Sequence, residues 1–147
     1  MQVFTSYRFL LVLATLAVAA LACGSFAPPE SCTSAGFDEE AFAMHFNEMQ
    51  VINAATGEPG ESDPGNDQGL RFSTGDELAV LVDSLGDVEV TFCIEQRKGG
   101  GQIVYNQSHT VQAGENTVPL MAFDSDPYVI RVIVSDALVK NLTFFTE

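Results

Sequence analysis

The chain has 147 residues, of which 20 are acidic and 6 are basic, so its formal net charge is −14. So acidic a surface repels nucleic-acid phosphates and anionic lipid headgroups, over a range set by the Debye length. The sequence has no basic cluster longer than Arg97-Lys98. Nucleic-acid binding is therefore excluded, and the length suits one domain with a single core.

The N-terminal stretch 9–23 determines where the mature chain is expected to work. It is uncharged, follows Arg8, and ends on the Ala-Leu-Ala of residues 20–22 directly before Cys23. An apolar segment that ends at a small-residue cleavage site is typical of a secretory signal peptide. We therefore expect residues 1–22 to be a signal peptide, and the mature chain to work outside the cytoplasm.

A cysteine directly after the small residues resembles the lipobox of bacterial lipoproteins. The resemblance implies that Cys23 becomes an acylated N-terminus, with Ala20 standing where Leu is more usual. Buried acyl chains contribute about 0.8 kcal/mol per CH₂, so two or more would hold the protein on a membrane. Two alternatives stay open. In the first, ordinary signal peptidase cleaves after residues 20–22 and releases a secreted chain. In the second, the segment stays uncut as a membrane anchor, although it has about 15 apolar residues and a spanning helix needs roughly 20.

Cys32 and Cys93 are the two cysteines that remain once Cys23 is assigned to lipid. Such a pair tends to oxidise outside the cytoplasm. A disulfide that closes about 62 residues would stabilise the fold by roughly 4 kcal/mol. Two free thiols are the alternative, because Cys32 lies in the segment 23–36 and could be too mobile to meet Cys93. That segment is small, polar and proline-containing, which indicates a flexible tether.

The segment after the tether is ambiguous between helix and strand. Phe42, Phe46 and Met49 fall at helical spacing behind Asp38, a residue type that caps helix N-termini. Alternate residues of the same stretch are apolar as well, which is typical of a strand. We expect a short helix first and then a strand over about residues 48–54.

Residues 56–69 contain four Gly, two Pro and four acidic residues, which predicts a long exposed loop. Asp63 and Asp67 are weak candidates for a cation site. Their carboxylates supply oxygen ligands, of which a hard cation takes roughly six to eight. Their spacing does not match a calcium loop, since Gly69 comes one residue late and no Glu closes the loop. Solvated loop acids are the alternative. No cofactor is predicted.

The second half of the chain alternates between β-rich runs and turn residues. Strands are predicted at 77–83, 88–95, 102–111, 117–123, 128–134 and 138–145. With 48–54 there are about seven strands and no helical crossovers, which favours an all-β antiparallel sandwich over a parallel sheet. Pro119 places its strand at an edge. Strict alternation turns Val90 and Phe92 toward the core and Cys93 away from it.

Several stretches resemble the immunoglobulin-like sandwich domains of bacterial surface lipoproteins of unassigned function. They are Phe72-Ser73-Thr74-Gly75-Asp76 before a Val/Leu strand, Tyr128-x-x-Arg131-Val132-x-Val134, and Leu138-Val139-x-x-Leu142-x-Phe144. The match covers about residues 48–145. Relatives often carry a Trp where this chain has Phe92-Cys93, and a Gly where it has Ala137. The resemblance implies a single immunoglobulin-like β-sandwich over residues 37–147, and it says little about activity.

Catalytic chemistry has little support in the sequence. His45 and His109 are the two histidines, so a three-histidine zinc site cannot form. No H-E-x-x-H, G-x-S-x-G or phosphate-binding loop occurs. Ser108 and His109 are neighbours on a predicted strand and therefore point to opposite faces, so they cannot act as nucleophile and base. No catalytic residue is predicted, and His109 is expected on an outer strand face.

We therefore expect an extracytoplasmic lipoprotein, anchored in the cell envelope, that acts as a non-enzymatic binding or envelope-support module. Its partners would be the membrane, through the lipid on Cys23, and an unknown protein or glycan. One alternative is a small secreted enzyme, or enzyme subunit, that uses carboxylates as glycosidases do. Another is a calcium-stabilised adhesion module that uses the acidic loop.

Overall fold

The computed structural model describes residues 32–62 and 69–147. The predicted signal peptide 1–22 and the predicted lipidation site Cys23 lie outside these ranges, as does the predicted tether up to residue 31. Everything that follows on structure concerns the described residues.

Ten strands and one short helix make up the described chain. The helix is α1 (Glu39–His45), and the strands are β1 (Gly36–Phe37), β2 (Phe46–Asn53), β3 (Glu61–Ser62), β4 (Leu70–Phe72), β5 (Glu77–Ser84), β6 (Val88–Gln96), β7 (Gln102–Val111), β8 (Gly114–Ala122), β9 (Pro127–Val134) and β10 (Ala137–Thr146). All the predicted strands are present, as β2 and β5 to β10. The additional strands β1, β3 and β4 are only 2, 2 and 3 residues long.

The strands form two sheets that pack as a sandwich. The small sheet has the order β2-β5-β8 and is antiparallel throughout. The large sheet has 7 strands in the order β3-β4-β10-β9-β6-β7, with β1 also paired to β10. Both β1 and β4 run parallel to β10, and the other pairs of this sheet are antiparallel. The predicted antiparallel sandwich is confirmed for the long strands, while the short strands make the large sheet mixed.

The order of the long strands is that of an immunoglobulin-like sandwich. In the strand letters of those domains, β2-β5-β8 is A-B-E and β10-β9-β6-β7 is G-F-C-C′. Tyr128, near the start of β9, donates its hydroxyl to the carbonyl oxygen of Asp124 at 3.0 Å. This contact is the tyrosine corner of such sandwiches. Strand β8 is an edge strand, as Pro119 predicted.

The core lies between the inner faces of the two sheets. Its largest fully buried side chains are Phe46, Phe92 and Phe144. The ring centroid of Phe144 lies 5.1 Å from the centroids of both Phe123 and Tyr128, so one aromatic cluster fills the end of the sandwich near the tyrosine corner. Residues of β6 alternate as predicted, with Phe92 and its inward neighbours fully buried in this core.

Helix α1 begins at the predicted cap. Asp38 has an extended backbone, and its Oδ1 accepts a hydrogen bond from the N–H of Ala41 at 3.0 Å. The helix ends where β2 begins, at Phe46, slightly earlier than the strand was predicted to start. Phe42 packs on Phe46 at 5.4 Å between centroids, and Nζ of Lys140 lies 4.2 Å from the Phe42 ring centroid. The helix therefore covers the core beside β10.

The predicted loop 56–69 is partly paired. Its residues Glu61–Ser62 form β3 against Leu70–Arg71 of β4, and Pro59 makes an isolated antiparallel bridge with Ile52. A two-residue strand shows no alternation of hydrophobicity, so nothing in the sequence marked it. This part of the acidic segment follows the edge of the large sheet and is not a free loop.

Candidate functional site

A disulfide joins the start of the described chain to the middle of the large sheet. Cys32 and Cys93 are bonded, with Cα atoms 5.8 Å apart and a sequence separation of 61. Cys93 is 1% exposed and lies outside the core cluster, on the outer face of β6, as the alternation predicted. The predicted pairing is confirmed. The N-terminal segment is thus fixed to the sheet face opposite the core.

An ion pair lies beside the disulfide on the same face. Glu95 accepts two hydrogen bonds from Arg131, from Nε to Oε1 at 3.0 Å and from Nη2 to Oε2 at 3.0 Å. Oε1 also accepts the backbone N–H of Cys32 at 3.3 Å. The hydrogen bonds from Arg131, opposed by partial burial and assisted by the Cys32 N–H, hold the pKa of Glu95 below its usual range. An ionised carboxylate therefore links β6 and β9 to the incoming segment.

The folded domain starts earlier than the predicted boundary. The backbone N–H of Ala35 donates to the carbonyl oxygen of Asp136, and β1 continues this contact as a parallel strand on β10. Residues from Cys32 onward are therefore bound to the large sheet. Of the predicted tether 23–36, the part after Cys32 belongs to the domain.

The turn that receives this segment has an unusual backbone. Ser135 and Asp136 join β9 to β10 and have positive φ values of 49° and 66°. Two positive φ values in a two-residue hairpin indicate a type I′ turn, which Asn and Gly adopt most readily. The domains that this sequence resembles usually carry a Gly after this Asp, where this chain has Ala137, and here Asp136 itself takes the left-handed conformation. Its carbonyl is thereby available to Ala35.

An acidic cleft of about 330 Å³ lies beside the C-terminus. Four carboxylates line it, those of Glu58, Glu61, Asp76 and Glu147, together with the guanidinium of Arg71. Nη1 of Arg71 lies 3.0 Å from Oε1 of Glu147. The cleft favours cationic groups over anions, because the acids outnumber the single base.

The weak metal candidates Asp63 and Asp67 lie outside the described residues. Within residues 32–62 and 69–147, no group of three or more His, Cys, Asp or Glu side chains is placed to hold a metal ion. The acidic cleft is an electrostatic feature of the described surface.

A second groove, of about 440 Å³, runs between β2 and the β10–β4 edge. Its apolar lining includes Met49, Leu70 and Leu142, and Lys140 lies at its rim. Burial lowers the pKa of Lys140, although the charge of Glu48 opposes this effect. The groove therefore lies on one side of the sandwich, between the small sheet and the large sheet.

The prediction that His109 lies on an outer strand face is wrong. His109 pairs with the core residue Val90, its ring centroid lies 5.9 Å from that of Phe92, and its Nε2 lies 2.9 Å from the hydroxyl of Tyr105. Tyr105 and His109 are only half-buried, and among the described elements β7 packs mainly against β6. Polar side chains can therefore occupy inward positions at this edge.

Ser108 lies on the opposite face of β7, where its hydroxyl is 2.6 Å from Oγ1 of Thr91. Ser108 and His109 therefore make separate contacts, as their adjacency on a strand predicted. His45, the last residue of α1, has its ring centroid 6.0 Å from that of Phe46.

Comparison with known proteins finds no family model that matches this chain and no curated protein that matches its sequence. Across the part of the chain that the structure describes, no helix combines the length and apolar character needed to cross a membrane.

Proposed function

We propose that this protein is a membrane-anchored extracytoplasmic lipoprotein whose sandwich acts as a non-enzymatic binding or envelope-support module. The observation that carries the proposal is the Cys32–Cys93 disulfide. Structural disulfides form and persist in oxidising compartments outside the cytoplasm and are rare inside it. The bond is thus compatible with the extracytoplasmic location that the signal-like stretch 9–23 predicts.

The position of the disulfide also fits a short connection to an anchor. A lipid on Cys23 would be joined to Cys32 by a segment of roughly 30 Å when fully extended. The disulfide and the Glu95–Arg131 pair attach that segment to the outer face of the large sheet. In the proposed arrangement the outer face of the large sheet holds the N-terminal segment. The small sheet and the open sides of the sandwich, which lie between the edges of the two sheets, are free to bind a partner.

The charge of the domain supports the same arrangement. Residues 23–147 keep all 20 acidic residues and five of the 6 basic ones. A net charge of this sign repels anionic headgroups, so the domain would stay in the aqueous phase while the lipid alone enters the membrane. A partner would then reach the sandwich from solution or from a neighbouring envelope complex.

The anchor is tested by fractionation and mass spectrometry of the full chain. We expect the wild type in the membrane fraction with an acylated N-terminal Cys23, and the Cys23→Ser variant outside that fraction with its domain folded. The matched control is Cys32→Ser, which removes the disulfide and should remain in the membrane fraction. An unmodified Cys23 at the mature N-terminus of the wild type would overturn the anchor.

The binding role is tested by chemical cross-linking in intact envelopes, followed by mass spectrometry of the cross-linked peptides. We expect cross-links from the small sheet or the open sides to a defined envelope partner, and few from the attachment face. The Cys23→Ser variant, released from the membrane, should lose these cross-links. Cross-links centred on the Cys32–Cys93 face would contradict the proposed arrangement.

A further inference from the structure

Strand β7 is a long free edge of the large sheet. Among the described strands it pairs with β6 alone, and it is 10 residues long. Residues 99–114 contain no Lys, Arg, Asp, Glu or Pro, in a chain whose net charge is −14. Proteins usually protect such edges with charged side chains, prolines or bulges, because the unpaired backbone groups offer a template to another strand.

The other long edge strands carry such protection. Strand β2 has β5 as its one paired strand among those described, with a single bridge from Ile52 to Pro59, and it includes Glu48. Strand β8, at the opposite edge of the small sheet, includes Glu115 and Pro119. The uncharged edge is therefore specific to β7.

The geometry of β7 suits pairing with a further strand. From Val88↔Val111 to Ile94↔Tyr105 its register with β6 runs without a shift, and the one irregularity lies beyond it, toward Gln102. In an antiparallel pair, alternate residues direct their N–H and C=O groups away from the neighbour. The regular part of β7 thus presents a straight row of backbone donors and acceptors at the sheet edge.

The two ends of β7 carry opposite charges. Arg97 and Lys98 precede its N-terminal end and are exposed. At its C-terminal end, exposed Glu89 of β6 lies opposite Thr110, and the carboxylate of Asp87 accepts the N–H of Ala113 at 3.1 Å. The edge is therefore basic at one end, free of Asp, Glu, Lys and Arg along its length, and acidic at the other end.

We infer that β7 pairs with β7 of a second copy of this chain, antiparallel across a two-fold axis, so that the two large sheets become one continuous sheet. Antiparallel pairing places the basic end of each strand against the acidic end of the other, and the two-fold axis makes this contact twice. Parallel pairing would bring like charges together. The acidic surface elsewhere repels a second copy, which leaves this edge as the favourable place of contact.

The first test is the mass of the full chain by sedimentation equilibrium in a density-matched detergent. We expect a dimer for the wild type and at least about tenfold weaker association for Asn106→Glu/Gln107→Glu, which places like charges at the paired edge. The control Thr117→Glu/Asn141→Glu adds the same charge at exposed positions away from β7 and should remain dimeric. A monomeric wild type at high concentration, or equal weakening by both double variants, overturns the inference.

The second test is a charge exchange that distinguishes antiparallel from parallel pairing of the two β7 strands. Lys98→Glu should weaken the dimer because it places two acidic ends in contact, and Lys98→Glu/Glu89→Lys should restore it at the net charge of the wild type. Both positions are exposed, and far-UV circular dichroism reports whether each variant is folded. Failure of the exchange to restore association overturns the antiparallel arrangement.

Discussion

The backbone N–H of Cys32 donates to Oε1 of Glu95, two residues along β6 from the cysteine to which Cys32 is bonded. A covalent bond and a hydrogen bond thus fix the same residue to the same strand. Arg131 completes the arrangement by holding both oxygens of that carboxylate. The attachment of the N-terminal segment is therefore built into the large sheet.

Loss of the disulfide should lower the free energy of unfolding by up to roughly 4 kcal/mol, because the unfolded chain regains the entropy that the closed loop removes. Urea unfolding of Cys32→Ala/Cys93→Ala against the wild type measures the difference, in a Cys23→Ser background that leaves no third thiol. A reductant should destabilise the parent protein and leave the double variant unchanged. Two titratable thiols in the oxidised, unfolded parent would sink the prediction.

Glu95→Gln should lower stability at neutral pH by about 1 kcal/mol, since the ion pair with Arg131 is partly exposed to solvent. The hydrogen bonds from Arg131 hold the pKa of Glu95 in the folded state below its value in the unfolded chain. The stability that its charge contributes is therefore present above the unfolded-state pKa and is lost as pH falls through the lowered folded-state pKa. The free energies of unfolding of the wild type and of Glu95→Gln should therefore become equal at acidic pH. Glu115→Gln, at an exposed position of β8, is the control and should not reproduce the pH-dependent difference.

Asp136→Gly should stabilise the protein by about 0.5 kcal/mol, because Gly adopts the positive φ of this turn without the steric cost of a side chain. Asp136→Val should act in the opposite direction and lower stability by more than about 1 kcal/mol. Thermal unfolding of the two variants gives the comparison. Equal effects of Gly and Val would show that the left-handed conformation is not what this position requires.

Tyr128→Phe should lower stability by about 1 kcal/mol, because it removes the hydroxyl that binds the carbonyl oxygen of Asp124 and keeps the buried ring. Thr146 still donates its hydroxyl to the same carbonyl oxygen, so that group is not left without a partner. Tyr105→Phe is a comparison variant at the exposed edge, and it should cost less. Chemical unfolding measures both, and a neutral Tyr128→Phe contradicts a stabilising role for the corner.

The long strands were predictable because each has one face in a single core. Val90 and Phe92 alternate with outward residues, and that period alone fixed both the strand and the direction of Cys93. The same reasoning failed at His109, where polarity suggested an outward side chain. Alternation reports burial, and in β7 only Val111 is fully buried while Tyr105 and His109 are half-buried, so polarity alone does not show which face of this strand is inward.

Most contacts between distant segments could not be predicted. Glu95 and Arg131 both lie at outward positions, but their meeting depends on the register of β6 against β9, which single-sequence patterns do not fix. Strands β1 and β4 are too short for a period and exist because β10 has a free edge to accept them. Predicting Cys32 with Cys93 was simpler, because only those two thiols remained once Cys23 was assigned to lipid.

The cross-link at Cys93 also changes how the protein would bear a mechanical load. Tension applied between the N-terminus and the C-terminus passes through the disulfide into β6, in the interior of the large sheet. The bond joins residues that are 61 positions apart in sequence, and the span between them, which includes helix α1 and the strands β2 and β5, carries none of that force along its backbone. While the bond is intact, the chain cannot be peeled from its N-terminal end. Only the segment after Cys93 can be drawn out, and reduction of the bond would release the enclosed length as additional extension.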